Sequence, residues 1–255
     1  MFKGKTKIIL NIIFLIIIAL VLYFSYKIYM TYHDNKNIDN EIKKVKEEVI
    51  INTDIKTEEK NEEPVEANNE NNYISEKLTL DFEKLKKINS DTVGWIRINN
   101  TNIDYPIVKS TDNKYYLDHS FYKNYNINGW IFENSRNNSN FSDQNTTIFG
   151  HNTNAYTMFS ELREIYKGKL GTNIKVTIFL ENDVYIYQVF SIYLSNPNNT
   201  ANISEYLNDD IVKEMLNNSK YDFSTTVTSK DKILTLSTCN NVTSDRLIMH
   251  AKKIN

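Results

Sequence analysis

The residues best placed to do chemistry lie near the C-terminus, where a cysteine closes one β-like run and an arginine opens the next. In Ile233-Leu234-Thr235-Leu236-Ser237-Thr238-Cys239, a period of two sends Leu234 and Leu236 to one face and Thr235, Ser237 and Cys239 to the other. The turn-rich stretch Asn240-Asn241-Val242-Thr243-Ser244-Asp245 follows, and then Arg246. If the two runs pair as a hairpin, the guanidinium comes close to the sulfur. A fixed cation there favours thiolate, and it can also steady the oxyanion of a tetrahedral intermediate. The plainer account is that a free cysteine is a small buried hydrophobe, and composition alone favours it.

A thiol nucleophile needs a proton carrier, and the chain has 4 histidines. His33 lies just beyond an apolar N-terminal run and carries no expectation. His250 falls inside the last β-like run, packed or on its outer wall, and His119, in Tyr115-Tyr116-Leu117-Asp118-His119, is either surface or site. His151 stands out because it follows Thr147-Ile148-Phe149-Gly150 and precedes Asn152-Thr153-Asn154. Strand ends beside loops are where catalytic groups on a rigid scaffold tend to sit. With 1 cysteine there is no intramolecular disulfide, and no ligand grouping has metal-site spacing, so neither metal nor cofactor is expected.

These residues belong to a segment from about Ser75 whose pattern is that of a packed domain. Leu78, Phe82, Leu85 and Ile88 recur at helical spacing, giving an amphipathic helix that ends around Asn89-Ser90. Short β-like runs follow at Val93 to Ile98, Asn102 to Val108, Gly129 to Phe132, Thr146 to Phe149, Asn173 to Leu180, Val184 to Leu194, Lys232 to Thr238 and Arg246 to Ala251. Helices are expected at Thr157 to Tyr166 and at Ile203 to Leu216, the latter with Ile203, Leu207, Ile211 and Met215 on one face. The fold class that follows is α+β, built on a small closed β-barrel.

Upstream, Ile8 to Phe24 is apolar except for Asn11, preceded by Lys3, Lys5 and Lys7, with Tyr23, Tyr26 and Tyr29 clustered at its far end. That length suits a transmembrane signal anchor, and the positive-inside rule puts the N-terminus in the cytoplasm and the rest outside. A cleaved signal peptide is the rival, but Leu22-Tyr23-Phe24-Ser25-Tyr26 is a poor cleavage site. From about Thr31 to Asn72 the chain is polar and acidic, with a helix expected over Asn37 to Ile51 and a solvated tether over Asn52 to Asn72. The expected organisation is therefore 1–30 tail and anchor, 31–74 linker, 75–255 catalytic domain. A net charge of -2, with no basic stripe, gives no reason to expect nucleic acid as a partner.

Thr235-Leu236-Ser237-Thr238-Cys239 with Arg246 seven residues later resembles the active-site signature of sortases, and Phe149-Gly150-His151-Asn152 resembles their histidine motif, about 90 residues upstream. The resemblance covers Ser75 to Asn255 and is strongest to class B. The helical extension before the first strand, the helix before the cysteine strand, Ser237, Thr92-Val93-Gly94-Trp95-Ile96 and Tyr105-Pro106-Ile107-Val108 all point there. Class C enzymes usually have a lid loop and often a C-terminal membrane helix, whereas Lys253-Ile254-Asn255 follows the last run here, so that class is not expected.

The resemblance implies an eight-stranded sortase-like barrel with an N-terminal helical extension and an inserted helix before the cysteine strand. It implies Cys239 as nucleophile, His151 as general acid then base, and Arg246 as oxyanion or positioning donor. Ser237, Thr238, Asn152, Tyr116 and Leu117 become candidates for the peptide groove. The implied partners are secreted proteins bearing a C-terminal sorting signal of Asn-Pro-x-Thr type, a peptidoglycan precursor amine as acceptor, and the cell membrane. Asn196-Pro197-Asn198-Asn199-Thr200 looks like such a signal but sits between a strand and a helix, as a turn. Two other readings stay open: a cysteine peptidase resolved by water, and a non-catalytic surface-binding module.

Overall fold

Between Lys5 and Val49 the chain has neither glycine nor proline, and nothing breaks a helix once it starts. The anchor and the amphipathic stretch after it accordingly form one helix, α1 (Phe2–Val49), in the computed structural model, which describes residues 2–51, 78–153, 156–196, 198–199, 204–239 and 245–255. From Ile8 to Tyr29 its apolar side chains are exposed, and by length and composition this stretch is able to cross a bilayer. Beyond Asp34 the same helix packs on the domain: Ile38, Val45 and Val49 are fully buried in the main core and Ile42 is partly so. Lys46 Nζ lies 3.2 Å from the Asp104 carboxylate. Residues 34–51, expected as the start of a linker, are thus part of the folded body. The expected tether, Asn52 to Asn72, lies outside the described residues.

A short strand β1 (Ile50–Ile51) pairs antiparallel with β2 (Thr79–Leu80). Then α2 (Phe82–Ile88) begins at Asp81, whose Oδ1 accepts from the Lys84 N–H at 2.8 Å. This helix is shorter than its apolar spacing suggests, because Leu78 lies ahead of the cap.

The barrel strands are β3 (Thr92–Ile98), β4 (Asp104–Val108), β5 (Phe132–Glu133), β6 (Asn145–Gly150), β7 (Lys175–Phe179), β8 (Val184–Ser195), β9 (Ile233–Cys239) and β10 (Arg246–Lys253). They close in the order β10-β8-β7-β3-β4-β5-β6-β9, leaving no free edge. Neighbours are antiparallel except for β4 with β5 and β6 with β9. Leu234 and Leu236 of β9 face the barrel core with Ile148, Leu247 and Met249.

Two helices lie between strands. In place of Thr157 to Tyr166, α3 (Leu162–Tyr166) forms after turns in which Tyr156 and Met158 hold positive φ values of 57° and 55°. In place of Ile203 to Leu216, α4 (Asp209–Asn218) starts where Asn208 Oδ1 accepts from the Ile211 N–H at 2.9 Å, with Asp209 and Asp210 at its positive end. Val212 and Met215 form its buried face, while Leu207 joins the same cluster from the preceding loop and Ile211 packs at its margin. Ile203 lies outside the described residues.

Candidate active site

Strand register brings the expected residues together. Along the parallel pair, Asn145 stands opposite Ile233 and Gly150 opposite Thr238, so His151, the next residue, comes level with Cys239. Across the antiparallel pair, Cys239 stands opposite Arg246. Three adjacent strands thus present His151, Cys239 and Arg246 at one end of the barrel, with neighbouring backbones about 5 Å apart.

At that end a cleft of about 250 Å³ opens. Leu117, Phe132 and Phe149 form its apolar wall, the two phenylalanine rings tilted with centroids 5.3 Å apart. His151, Ser237, Thr238 and the half-buried Arg246 form its polar end. The environment of His151 decides its state. Its Nε2 lies 2.7 Å from the Leu117 carbonyl oxygen, which can only accept, so Nε2 carries the hydrogen. Burial lowers the imidazole pKa below its usual value, against opposing pulls from the Leu117 carbonyl and Asp118. The resting ring is then mainly neutral at pH 7, with the Nδ1 lone pair as its available base.

Not every candidate reaches the cleft. Tyr116 is fully buried, its hydroxyl 2.6 Å from the Asp91 carboxylate and 3.0 Å from Asn89 Nδ2. Asn152 is buried in a one-residue bridge to Met158. His119 stacks on Tyr115 at 4.1 Å between centroids and lies 2.7 Å from Asp118, outside the cleft lining. His250 is sealed in the wall, where burial pushes its pKa down to about 3. A neutral ring explains its contacts: Nδ1–H donates to Thr235 Oγ1 at 2.9 Å, and Nε2 accepts from the Tyr193 hydroxyl at 3.0 Å.

Sequence reasoning did not mark Phe132, Phe149 or Asn113 as lining residues. Phe149 carried a signal in its alternation with the buried Ile148. Asn113 carried none, since it is held in place by irregular chain: its Oδ1 accepts from Ser135 N–H at 2.8 Å and its Nδ2 donates to Asn134 Oδ1 at 3.0 Å.

Gly150 is required where it stands. A Cβ there would fall 2.7 Å from Cδ2 of the fully buried Phe159 ring. Gly150→Ala is therefore expected to shift the end of β6 and His151 with it, lowering kcat/KM by roughly 10-fold or more. The accompanying stability loss should be about 1–3 kcal/mol. Steady-state kinetics beside thermal melts check both, and unchanged kinetics would show that His151 tolerates the displacement.

Next to Phe132, Glu133 is fully buried, and burial raises its pKa to about 7 despite Lys109 Nζ at 3.8 Å. A carboxyl whose pKa is raised on folding stabilises fully below its unfolded value, and that stability is lost as pH rises toward the folded value. Its effect between pH 4.5 and 7 runs opposite to that of His250, whose depressed pKa costs stability as pH falls below 6.5. Glu133→Gln is expected to match the wild type near pH 4.5 and to gain on it by about 1.4 kcal/mol per pH unit up to about pH 7. Urea melts across that range read this directly. A constant difference would mean that Glu133 stays ionised.

A family description, Sortase domain, matches residues 96–254. Sortase B of Listeria monocytogenes is 36% identical over 166 residues, covering 63% of this chain and 67% of that protein. Sortase B of Staphylococcus aureus is 29% identical over 259 residues, covering 98% of each. Among solved structures, Clostridium perfringens sortase B superposes with a TM-score of 0.64 at 32% identity, covering 69% of this chain and 100% of that one. A Staphylococcus aureus sortase B–substrate complex gives 0.61 at 31% identity, covering 68% and 84%.

Proposed function

The chain belongs to the sortase family, as a cysteine transpeptidase of the class B kind, and from that premise we propose that it anchors secreted proteins to the cell wall. Its substrate is a C-terminal sorting signal of Asn-Pro-x-Thr type, and its acceptor an amine of a peptidoglycan precursor. It works from the membrane, held by Ile8 to Tyr29 of α1, with the N-terminus cytoplasmic and the barrel outside. Residues 1–30 serve as tail and anchor and 75–255 as the catalytic domain, with 34–51 packed on that domain as part of its folded body.

The single observation that carries this reading is the register across β6, β9 and β10, which supports a working set of His151, Cys239 and Arg246 at the cleft mouth. In the proposed reaction His151 Nδ1 takes the Cys239 thiol proton as the sulfur forms a bond to the threonine carbonyl carbon and the carbonyl π electrons move onto its oxygen. The oxyanion that develops is met by the Arg246 guanidinium. As the tetrahedral species collapses, the carbon–nitrogen bond to the next residue breaks and His151 Nδ1 supplies the proton to the departing amine. The acceptor amine then attacks the thioester, His151 takes up its proton, and the sulfur leaves. The Leu117–Phe132–Phe149 wall suits the apolar and prolyl parts of the signal.

The test uses the full chain in detergent with a quenched Asn-Pro-x-Thr peptide, with and without an oligoglycine or diamino acceptor. Cleavage that yields ligated product only when amine is present supports the reading. Hydrolysed product alone, whatever the amine, would make the protein a peptidase. A fragment beginning at Ser75 is a poor substitute, because it lacks Ile38, Val45 and Val49 from the core.

A further inference from the structure

Besides its core packing, the anchor helix is gripped by one loop of the domain close to the apolar span. Asn126 Nδ2 donates to the Asp34 carbonyl oxygen at 3.0 Å, and Asn128 Nδ2 donates to Asn35 Oδ1 at 3.1 Å. Tyr29 stands five residues before Asp34 on the same continuous helix, which at about 1.5 Å per residue is roughly 7.5 Å. The headgroup layer on each side of a bilayer is itself about 5–8 Å deep. If the span lies in the membrane, residues 125–128 are therefore carried to the outer edge of that layer.

What the loop presents there is apolar. Ile127, between the two gripping asparagines, is 47% exposed, and Tyr125 is 67% exposed. Tyr29 and Tyr32 are exposed on the adjoining turns of α1. Tyrosines flanking an apolar anchor are the residues that favour the membrane–water interface.

The other arm of this loop reaches the cleft. The Asn126 N–H donates to the Asp118 carbonyl at 2.9 Å, and the preceding residue, Leu117, both lines the cleft and bonds His151.

We propose that Ile127 and Tyr125, with Tyr29 and Tyr32, form a lipid-headgroup contact that seats the barrel on the membrane with its cleft mouth at the lipid surface. This rests on the anchoring reading given above and adds a second, peripheral contact to it. The partner is the bilayer interface itself. A seat of this kind holds the cleft at the level where a membrane-bound signal and a lipid-linked amine both emerge.

The chain has 2 tryptophans, Trp95 and Trp130, both fully buried, so a new surface tryptophan reports on its own surroundings. Three single variants of the full chain, Ile127→Trp, Phe24→Trp and Tyr206→Trp, are reconstituted in phosphatidylcholine–phosphatidylglycerol vesicles containing lipids quencher-labelled at shallow or deep acyl positions. Ile127→Trp is expected to be quenched at least 2-fold more by the shallow label than by the deep one. Phe24→Trp should be quenched by both, and Tyr206→Trp, which is 80% exposed in the chain preceding α4, by neither. Quenching at 24 without quenching at 127 would overturn the contact and leave the anchor standing. No quenching at either position would overturn the anchoring reading and this surface with it.

Discussion

Cys239→Ala is expected to abolish turnover of the sorting-signal peptide, a fall of about 10⁴-fold or more. The size of the effect follows from the chain's chemistry. With 1 cysteine in the sequence, no second thiol is available to take over. The rival nucleophile is a hydroxyl, and Ser237 is its strongest form, since it lies on the same strand and lines the same cleft. It is the weaker candidate on two grounds. Its register partner is Phe149, two residues short of His151, whereas Cys239 comes level with His151. A serine hydroxyl also depends wholly on an adjacent base, while a thiol is partly ionised near neutral pH and intrinsically nucleophilic. Ser237→Ala should therefore change kcat/KM by no more than about 10-fold, as the loss of a cleft-wall hydrogen bond would. The measurement is peptide cleavage by both variants beside thermal melts that confirm folding, with mass spectrometry of denatured wild type for a stoichiometric acyl adduct. Retained turnover in Cys239→Ala together with its loss in Ser237→Ala would transfer the nucleophile to the serine.

Local chemistry was easier to read in the sequence than the supports behind it. The β9–β10 hairpin and the strand before His151 were legible because alternation, a turn-rich interval and a glycine at a strand end are short-range signals. The barrel order was not, because the parallel pairing of β6 with β9 joins residues nearly ninety positions apart and leaves no local trace. The apolar spacing of Ile38, Ile42, Val45 and Val49 was visible, yet its meaning depended on finding the surface it covers. Asn126 and Asn128, which complete that surface, look like ordinary loop residues. Tyr116 and Leu117 show the limit most sharply. They are adjacent, but the short 3-10 turn over Tyr115–Leu117 buries one ring in the core and leaves the other side chain on the cleft wall. The start of α4 at Asp209 did carry a signal, Asn208-Asp209-Asp210, which is a better helix beginning than the apolar spacing that suggested Ile203.

Arg246→Ala is expected to lower kcat by about 10²–10³-fold, and Arg246→Lys to recover little of it. Arg246 opens β10 opposite Cys239 and its half-buried side chain lines the cleft, so strand pairing fixes its backbone and the guanidinium is available at the cleft. A planar fork in that position offers several N–H donors toward one oxygen. A lysine ammonium offers a point charge on a flexible stem, heavily hydrated, and loses the geometry even where it keeps the charge. Two roles predict different companions to the same loss in kcat. If Arg246 acts on the transition-state oxyanion, the pH midpoint for alkylation of Cys239 should stay within about half a unit of wild type in both variants. If it acts by favouring the thiolate, the alanine variant should shift that midpoint upward by about one unit or more, and the lysine variant should restore it. The first outcome goes with the expected failure of lysine, because a cation whose only task was to hold a thiolate would be replaced well by lysine. Initial rates across pH with the peptide, paired with iodoacetamide labelling of the single thiol, separate the two. Full activity in Arg246→Ala would remove the residue from the reaction altogether and leave the oxyanion to backbone N–H groups at the end of β9.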